Sequence, residues 1–246
     1  MPERNTNKTP TLRGAVTAGA NVQPRFQLID LAVALGVMIG LFGIRWVGGG
    51  RLISGLGLDG EALQATETAI LFAMHLGAIA LLVWYLRKRG LGAGLRPLGR
   101  DAWHILWELP LIFIAVPLLT QVVSHVAGLE PIENGGLGSN VGMEPASLLK
   151  VFVVGAVLAP LLKELIFRHM VMGYFDTIMP AFGSVLLSSA IFAVLHLEPV
   201  QVLHAFFGGI AFALVARRHR SLWASIIAHV CNNLLVGLIV LAGLSA

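Results

Sequence analysis

Apolar residues along this chain fall in long runs broken by short polar or basic segments. The runs are near the length of about 20 residues that an α-helix needs to cross a bilayer. They cover about Leu28 to Val47, Thr68 to Leu86, Trp103 to Val123, a helix starting near Ser147, Pro180 to Leu197, Pro199 to Ala216 and Leu222 to Leu244. The pattern predicts an all-α fold, a polytopic transmembrane helical bundle of about seven spans. Gly48-Gly49-Gly50 closes the first run, and the segment from there through Glu67 reads as a polar connection. Pro110 and Pro117 predict kinks in the third span, because each removes a backbone donor from the helical ladder.

Composition agrees with that pattern. Hydrophobic residues make up 57% of the 246 residues and charged residues 12%, against a usual charged share of about 25%. There is room for one bundle and for no sizeable extramembrane domain. The single cysteine, Cys231, excludes an internal disulfide and a zinc–thiolate cluster, and its apolar surroundings give it the role of a small core residue.

The net charge of +4 does not point to nucleic acid, because the basic residues cluster beside the apolar runs, where they report topology. Arg87-Lys88-Arg89 with Arg96 and Arg100 follow the second run, and Arg217-Arg218-His219-Arg220 end the sixth. The loop from Ser124 to Ala146 carries Glu130, Glu133 and Glu144 and no lysine or arginine. Seven spans put the N-terminus and both basic loops on one side, read as the cytoplasm of a bacterial cell, and the acidic loop on the other. Residues 1–26 read as a flexible cytoplasmic tail, too far from the first run to serve as the n-region of a signal peptide. Residues 27–146 read as N-terminal transmembrane helices and loops, and 147–246 as a core that carries the chemistry.

That chemistry starts in Ala159 to His169, APLLKELIFRH, which sets Lys163, Glu164, Arg168 and His169 inside an apolar helix. A charged side chain at the centre of a membrane helix costs about 2.5–3.5 kcal/mol on insertion scales, so such groups must be paired, wetted or used. Glu164 and Arg168 stand four apart and can pair on one helical face. In the next run Phe192 and His196 share a face, and in the last His229 and Asn233 do. A carboxylate with a histidine can deprotonate water as a general base, and a histidine with an asparagine can donate to a developing oxyanion. No GxSxG motif offers a serine nucleophile. Taken singly, each histidine or asparagine can equally be helix–helix glue. His75, His125 and His204 have no partner at helical spacing and read as structural, and His169 reads as either a site lining or an interfacial residue.

With these residues in place, the C-terminal half resembles the CPBP (ABI) family of CAAX-processing and bacteriocin-processing intramembrane proteases, whose pattern is EExxxR, FxxxH and HxxxN on successive helices. The matching residues are Lys163-Glu164 through Arg168, Phe192 through His196, and His229 through Asn233, supported by Gly208-Gly209 and by SLWASIIAH before the third motif. The resemblance covers about Leu148 to Leu235. It implies a glutamate-dependent intramembrane endopeptidase acting on a protein or peptide substrate, with removal of the C-terminal tripeptide from prenylated proteins as one known activity. Glu164 and His196 would then activate water, His229 and Asn233 would hold the oxyanion, and Arg168 would fix the glutamate. A divalent metal is compatible with Glu164, His196 and His229 and is not required by the sequence.

The first glutamate of the family pattern is Lys163 here. Either Glu164 takes over the base role, or Lys163 acts in its neutral form, or proteolysis is lost and the protein serves as an immunity factor or scaffold. Adjacent helical residues point about 100° apart, so Glu164 does not simply occupy the vacated position. A small transporter with a charged midplane site is a third reading. Helix counting also places His196 near the far end of its span, away from Glu164 and His229.

Overall fold

The structure, a computed structural model, describes residues 25–44, 57–129 and 143–243. All regular structure among these residues is helical. Seven helices follow in order: α1 Leu28–Gly43, α2 Gly60–Lys88, α3 Arg100–Val126 (opening in a 3-10 turn), α4 Pro145–Phe175, α5 Ala181–Val194, α6 Pro199–His219 and α7 Leu222–Leu241. Five of them, α2, α3, α4, α6 and α7, are long and apolar enough to cross a membrane. The described α1 and α5 have 16 and 14 residues, and at about 1.5 Å per residue both fall short of a hydrocarbon core about 30 Å thick. Large apolar side chains such as Leu106, Ile114 and Val126 face outward, as lipid-facing positions require. The protein is an integral membrane protein.

Several boundaries differ from those read in the sequence. The segment before Glu67 is not a connection throughout: from Gly60 on it is the first turns of α2. Pro110 and Pro117 lie inside a helix that continues through both. Helix α5 ends at Val194, so His196 stands on the turn to α6, where Leu197 takes a left-handed φ of 65°. The Gly48–Gly50 turn, Glu130, Glu133 and nearly all of the N-terminal tail lie outside the described residues. Phe26, assigned to that tail, packs edge-on against His169 with ring centroids 5.1 Å apart.

Polar contacts define the two ends of the bundle. At one end Asp30, in the first turn of α1, accepts hydrogen bonds from Tyr85 (2.6 Å) and Arg89 (2.9 Å) at the end of α2. Ser221, the N-cap of α7, donates to the Arg96 carbonyl (2.5 Å), and the Leu222 amide donates to Gly94 O (3.0 Å). The start of α1 and the two basic loops therefore sit together. His169 belongs to this end, where its ring meets the Gly92 carbonyl. At the opposite end Thr68 donates to Ala146 O (3.2 Å) and Lys150 pairs with Glu67 (3.4 Å), joining the first turns of α2 and α4.

Helix α6 packs against α3, α5 and α7, and α7 packs against α4. Two glycines permit close approach here. A Cβ on Gly237 of α7 would meet Val151 and Phe152 of α4 at 3.2 and 3.3 Å, and one on Gly209 of α6 would meet Ser189 of α5 at 3.0 Å and the Arg168 Nη2 at 3.2 Å. Helix α4 is wound partly in wide π-type turns, over Leu149–Leu158 and Leu165–Val171. The Ala159 and Met172 amides reach carbonyls five residues back. Such i→i+5 turns are rare and concentrate at functional sites. These two flank the short α-helical stretch Ala159–Glu164, which ends in Lys163 and Glu164.

Candidate functional site

Glu164 is fully buried, and its two carboxylate oxygens face different partners. Oε1 lies 2.7 Å from His229 Nδ1 on α7, and Oε2 lies 3.3 Å from Arg168 Nε one turn further along α4. Arg168 is buried too, and its Nη2 donates to the Gly209 carbonyl (3.0 Å). The guanidinium carbon stands 4.5 Å from the centroid of the Phe192 ring and 5.9 Å from that of Phe212. A planar cation packed on aromatic faces and bonded at its edge is the arrangement in which arginine tolerates burial. Ridding α6 of a side chain at Gly209 is what lets the guanidinium reach that helix.

The aromatic rings hold the imidazoles. His229 stacks on Phe212 (centroids 4.6 Å apart, planes 17° apart), and the Phe192 ring meets it edge-on at 5.9 Å. On its other side Phe192 meets His196 at 5.0 Å. His196 stands beyond the end of α5, and the Phe192 ring lies between it and His229. His196 Nδ1 lies 3.3 Å from the Ala193 carbonyl, not on Glu164. Asn233, one turn past His229, donates from Nδ2 to the Gly155 carbonyl of α4 (3.0 Å), and Asn232 bonds to Asn233 Oδ1 (3.3 Å).

Lys163, His196, His229 and Asn233 line a common cavity of about 450 Å³, enclosed by α3, α4, α6, α7 and the end of α5. Phe192 contributes to its wall, whereas Glu164 and Arg168 do not line it. The glutamate therefore borders the cavity through His229, and Lys163 is the side chain of that pair which enters it. The Lys163 ammonium stands 5.6 Å from the Phe192 ring centroid. Thr120, Gln201 and Asn232, which the sequence reading did not single out, also line the cavity, as does His204, read there as structural. Among the described residues, no three His, Cys, Asp or Glu side chains converge as a metal-holding group. Glu164, whose oxygens are directed to Arg168 and His229, does not form such a set with His196 and His229.

Comparison with known proteins meets this geometry at the same residues. Residues 145–235, from the start of α4 to most of α7, match the family model described as Rce1-like, type II CAAX prenyl endopeptidase. A Bacillus subtilis (strain 168) protein named "Putative membrane peptidase YdiL" is 30% identical over 138 residues, 54% of this chain and 54% of that protein. The aligned region thus spans about half the length of the curated relative. No solved structure matches the chain. The segment that builds most of the cavity wall and all three motifs is the segment that matches, and through it this chain is similar to the CPBP family of membrane proteases.

Proposed function

We propose that this protein is an intramembrane endopeptidase that hydrolyses a peptide bond in the cavity bordered by Lys163, His196, His229 and Asn233, using water activated by a glutamate–histidine pair. The observation that carries this reading is the 2.7 Å contact between Glu164 and His229. A neutral His229 whose Nδ1–H donates to a buried carboxylate has Nε2 as an acceptor, the state of a general base. His229 takes a proton from water at Nε2 as the water oxygen bonds to the scissile carbonyl carbon. It returns the proton to the leaving amine as the C–N bond breaks. His196, with Nδ1 directed to the Ala193 carbonyl, orients the same water through Nε2. The second N–H of the Asn233 amide is the donor for the oxyanion. Arg168 balances the glutamate and keeps it ionised beside the imidazole.

The role of Glu164 is thus exerted through His229, which suits its lack of contact with the cavity. The substrate class is a membrane protein or peptide whose scissile bond reaches the cavity, and the likeness to the Rce1-like model includes C-terminal processing of a prenylated chain. The basic end of the bundle faces the cytoplasm by the positive-inside rule.

A second reading rests on Lys163. A cation at the position of the family's first glutamate suits a protein that binds in this cavity and does not hydrolyse. One experiment separates the two: the full-length protein, reconstituted in lipid, is offered a mixed panel of prenylated and plain peptides. The peptidase reading expects cleavage by the native chain and a loss of about 100-fold or more in His229→Gln. Cleavage that arises only in Lys163→Glu supports the binding protein and overturns the peptidase.

A further inference from the structure

Lys163 is half-buried within the bundle and lines the cavity. Among the described residues no carboxylate forms a salt bridge with it, and its ammonium stands 5.6 Å from the centroid of the Phe192 ring, with Glu164, Arg168, His196 and His229 within electrostatic reach. The neighbouring Glu164 is engaged by Arg168 and His229. These buried ions do not balance: the charges of Glu164 and Arg168 cancel, and the lysine is left over. Among the described residues no aspartate or glutamate lines the cavity. What does line it besides Lys163 is neutral and rich in N–H donors, with Gln201, Asn232 and Asn233 set among apolar walls such as Ala205 and Val236. In surroundings of low dielectric an unpaired cation is costly, and a charge brought beside it from outside is strongly favoured.

The geometry points to an anion site in this cavity: Lys163 holds the carboxylate of an apolar ligand, whose chain lies along the apolar walls. A carboxylate fits better than a larger polyanion, because among the described residues a single lysine faces the space and the remaining polar groups are amides, a hydroxyl and imidazoles. The same chemistry is offered by the free C-terminus of an apolar peptide and by a fatty acid. The inference concerns the cavity that the peptidase reading uses, but it is a statement about binding and does not require turnover.

The test uses the full chain in nanodiscs of phosphatidylcholine, with equilibrium binding read by calorimetry. Four probes are compared: dodecanoate, dodecanol, an apolar hexapeptide with a free C-terminus, and its C-terminal amide. The site predicts that at least one carboxylate binds the native chain tenfold or more tightly than its neutral counterpart. That preference disappears in Lys163→Gln and is retained in Lys163→Arg, while the neutral probes bind Lys163→Gln as they bind the native chain, which shows that the cavity is intact. A preference restricted to dodecanoate identifies a fatty acid, and one restricted to the hexapeptide identifies a peptide terminus. Equal binding of charged and neutral probes, or a preference that survives in Lys163→Gln, overturns the anion site. Binding without cleavage sustains this site and sinks the peptidase reading, and cleavage without the carboxylate preference does the reverse.

Discussion

Glu164 Oε1 and His229 Nδ1 stand 2.7 Å apart, joining α4 to α7 across 65 positions of sequence. The carboxylate is sealed from the cavity and the imidazole is not. Glu164→Gln keeps the shape of the side chain but removes the charge that favours Nδ1–H as the donor. The expected result is a fall in cleavage per folded molecule of about 100-fold or more, together with a lowered thermal midpoint, because the buried Arg168 charge loses its partner.

Arg168 has a different part. It neutralises the buried glutamate, lies over Phe192 and bonds to α6. Removing one partner of a buried ion pair costs about 3–5 kcal/mol, because the other charge is left without compensation. Arg168→Ala is expected to lower the thermal unfolding midpoint sharply and to reduce the yield of folded protein. Arg168→Lys keeps the charge but loses the flat contact with the ring and the bond to Gly209, so it recovers only part of the loss.

Adjacent glycines of α6 should respond differently to the same substitution. A methyl at Gly208 finds its nearest neighbour, a carbon of Phe212, at 3.7 Å, which is ordinary contact. At Gly209 it meets Ser189 at 3.0 Å and the Arg168 guanidinium at 3.2 Å. Gly209→Ala is expected to destabilise by about 1–3 kcal/mol, in the manner of overpacked cores, and to shift Arg168. Gly208→Ala is expected to unfold with the native chain. Paired thermal melts in one detergent check this.

How much of this was legible in the sequence depended on distance along the chain. Glu164 with Arg168, Phe192 with His196, and His229 with Asn233 were visible because four-residue spacing sets side chains on one helical face, and the fold brings all three pairs to the cavity wall or directly behind it. The contact of Glu164 with His229 was not visible, since it is made by two helices packing face to face. That His204 and Asn232 line the same cavity was likewise set by how α6 and α7 pack, which single-helix spacing does not show. The end of α5 was placed too late because an apolar run does not mark where a helix stops, and here it stops at Val194 while the apolar residues continue to Leu197. The wide turns of α4 leave no mark in the hydropathy pattern.

Asp30 offers a test away from the cavity. Its carboxylate takes hydrogen bonds from Tyr85 and Arg89 and from the Gln27 amide, tying the start of α1 to the end of α2. Asp30→Ala leaves these groups without their shared acceptor and is expected to destabilise by about 1–3 kcal/mol. Cleavage per folded molecule should stay within about twofold of native, since Asp30 does not line the cavity and its loss acts on stability. A melt and an activity measurement on the same preparation separate the two effects.

The central claim is that Glu164 acts through His229, and a double-mutant cycle of cleavage rates tests it most directly. The reconstituted native chain is compared with Glu164→Gln, His229→Gln and the double variant on the best-cleaved peptide of the panel. Groups that work as one unit are strongly non-additive, so the second substitution should remove little that the first has left. The account predicts that the double variant is about as slow as His229→Gln alone. Losses that multiply, or a native chain that cleaves no peptide of the panel, would contradict it.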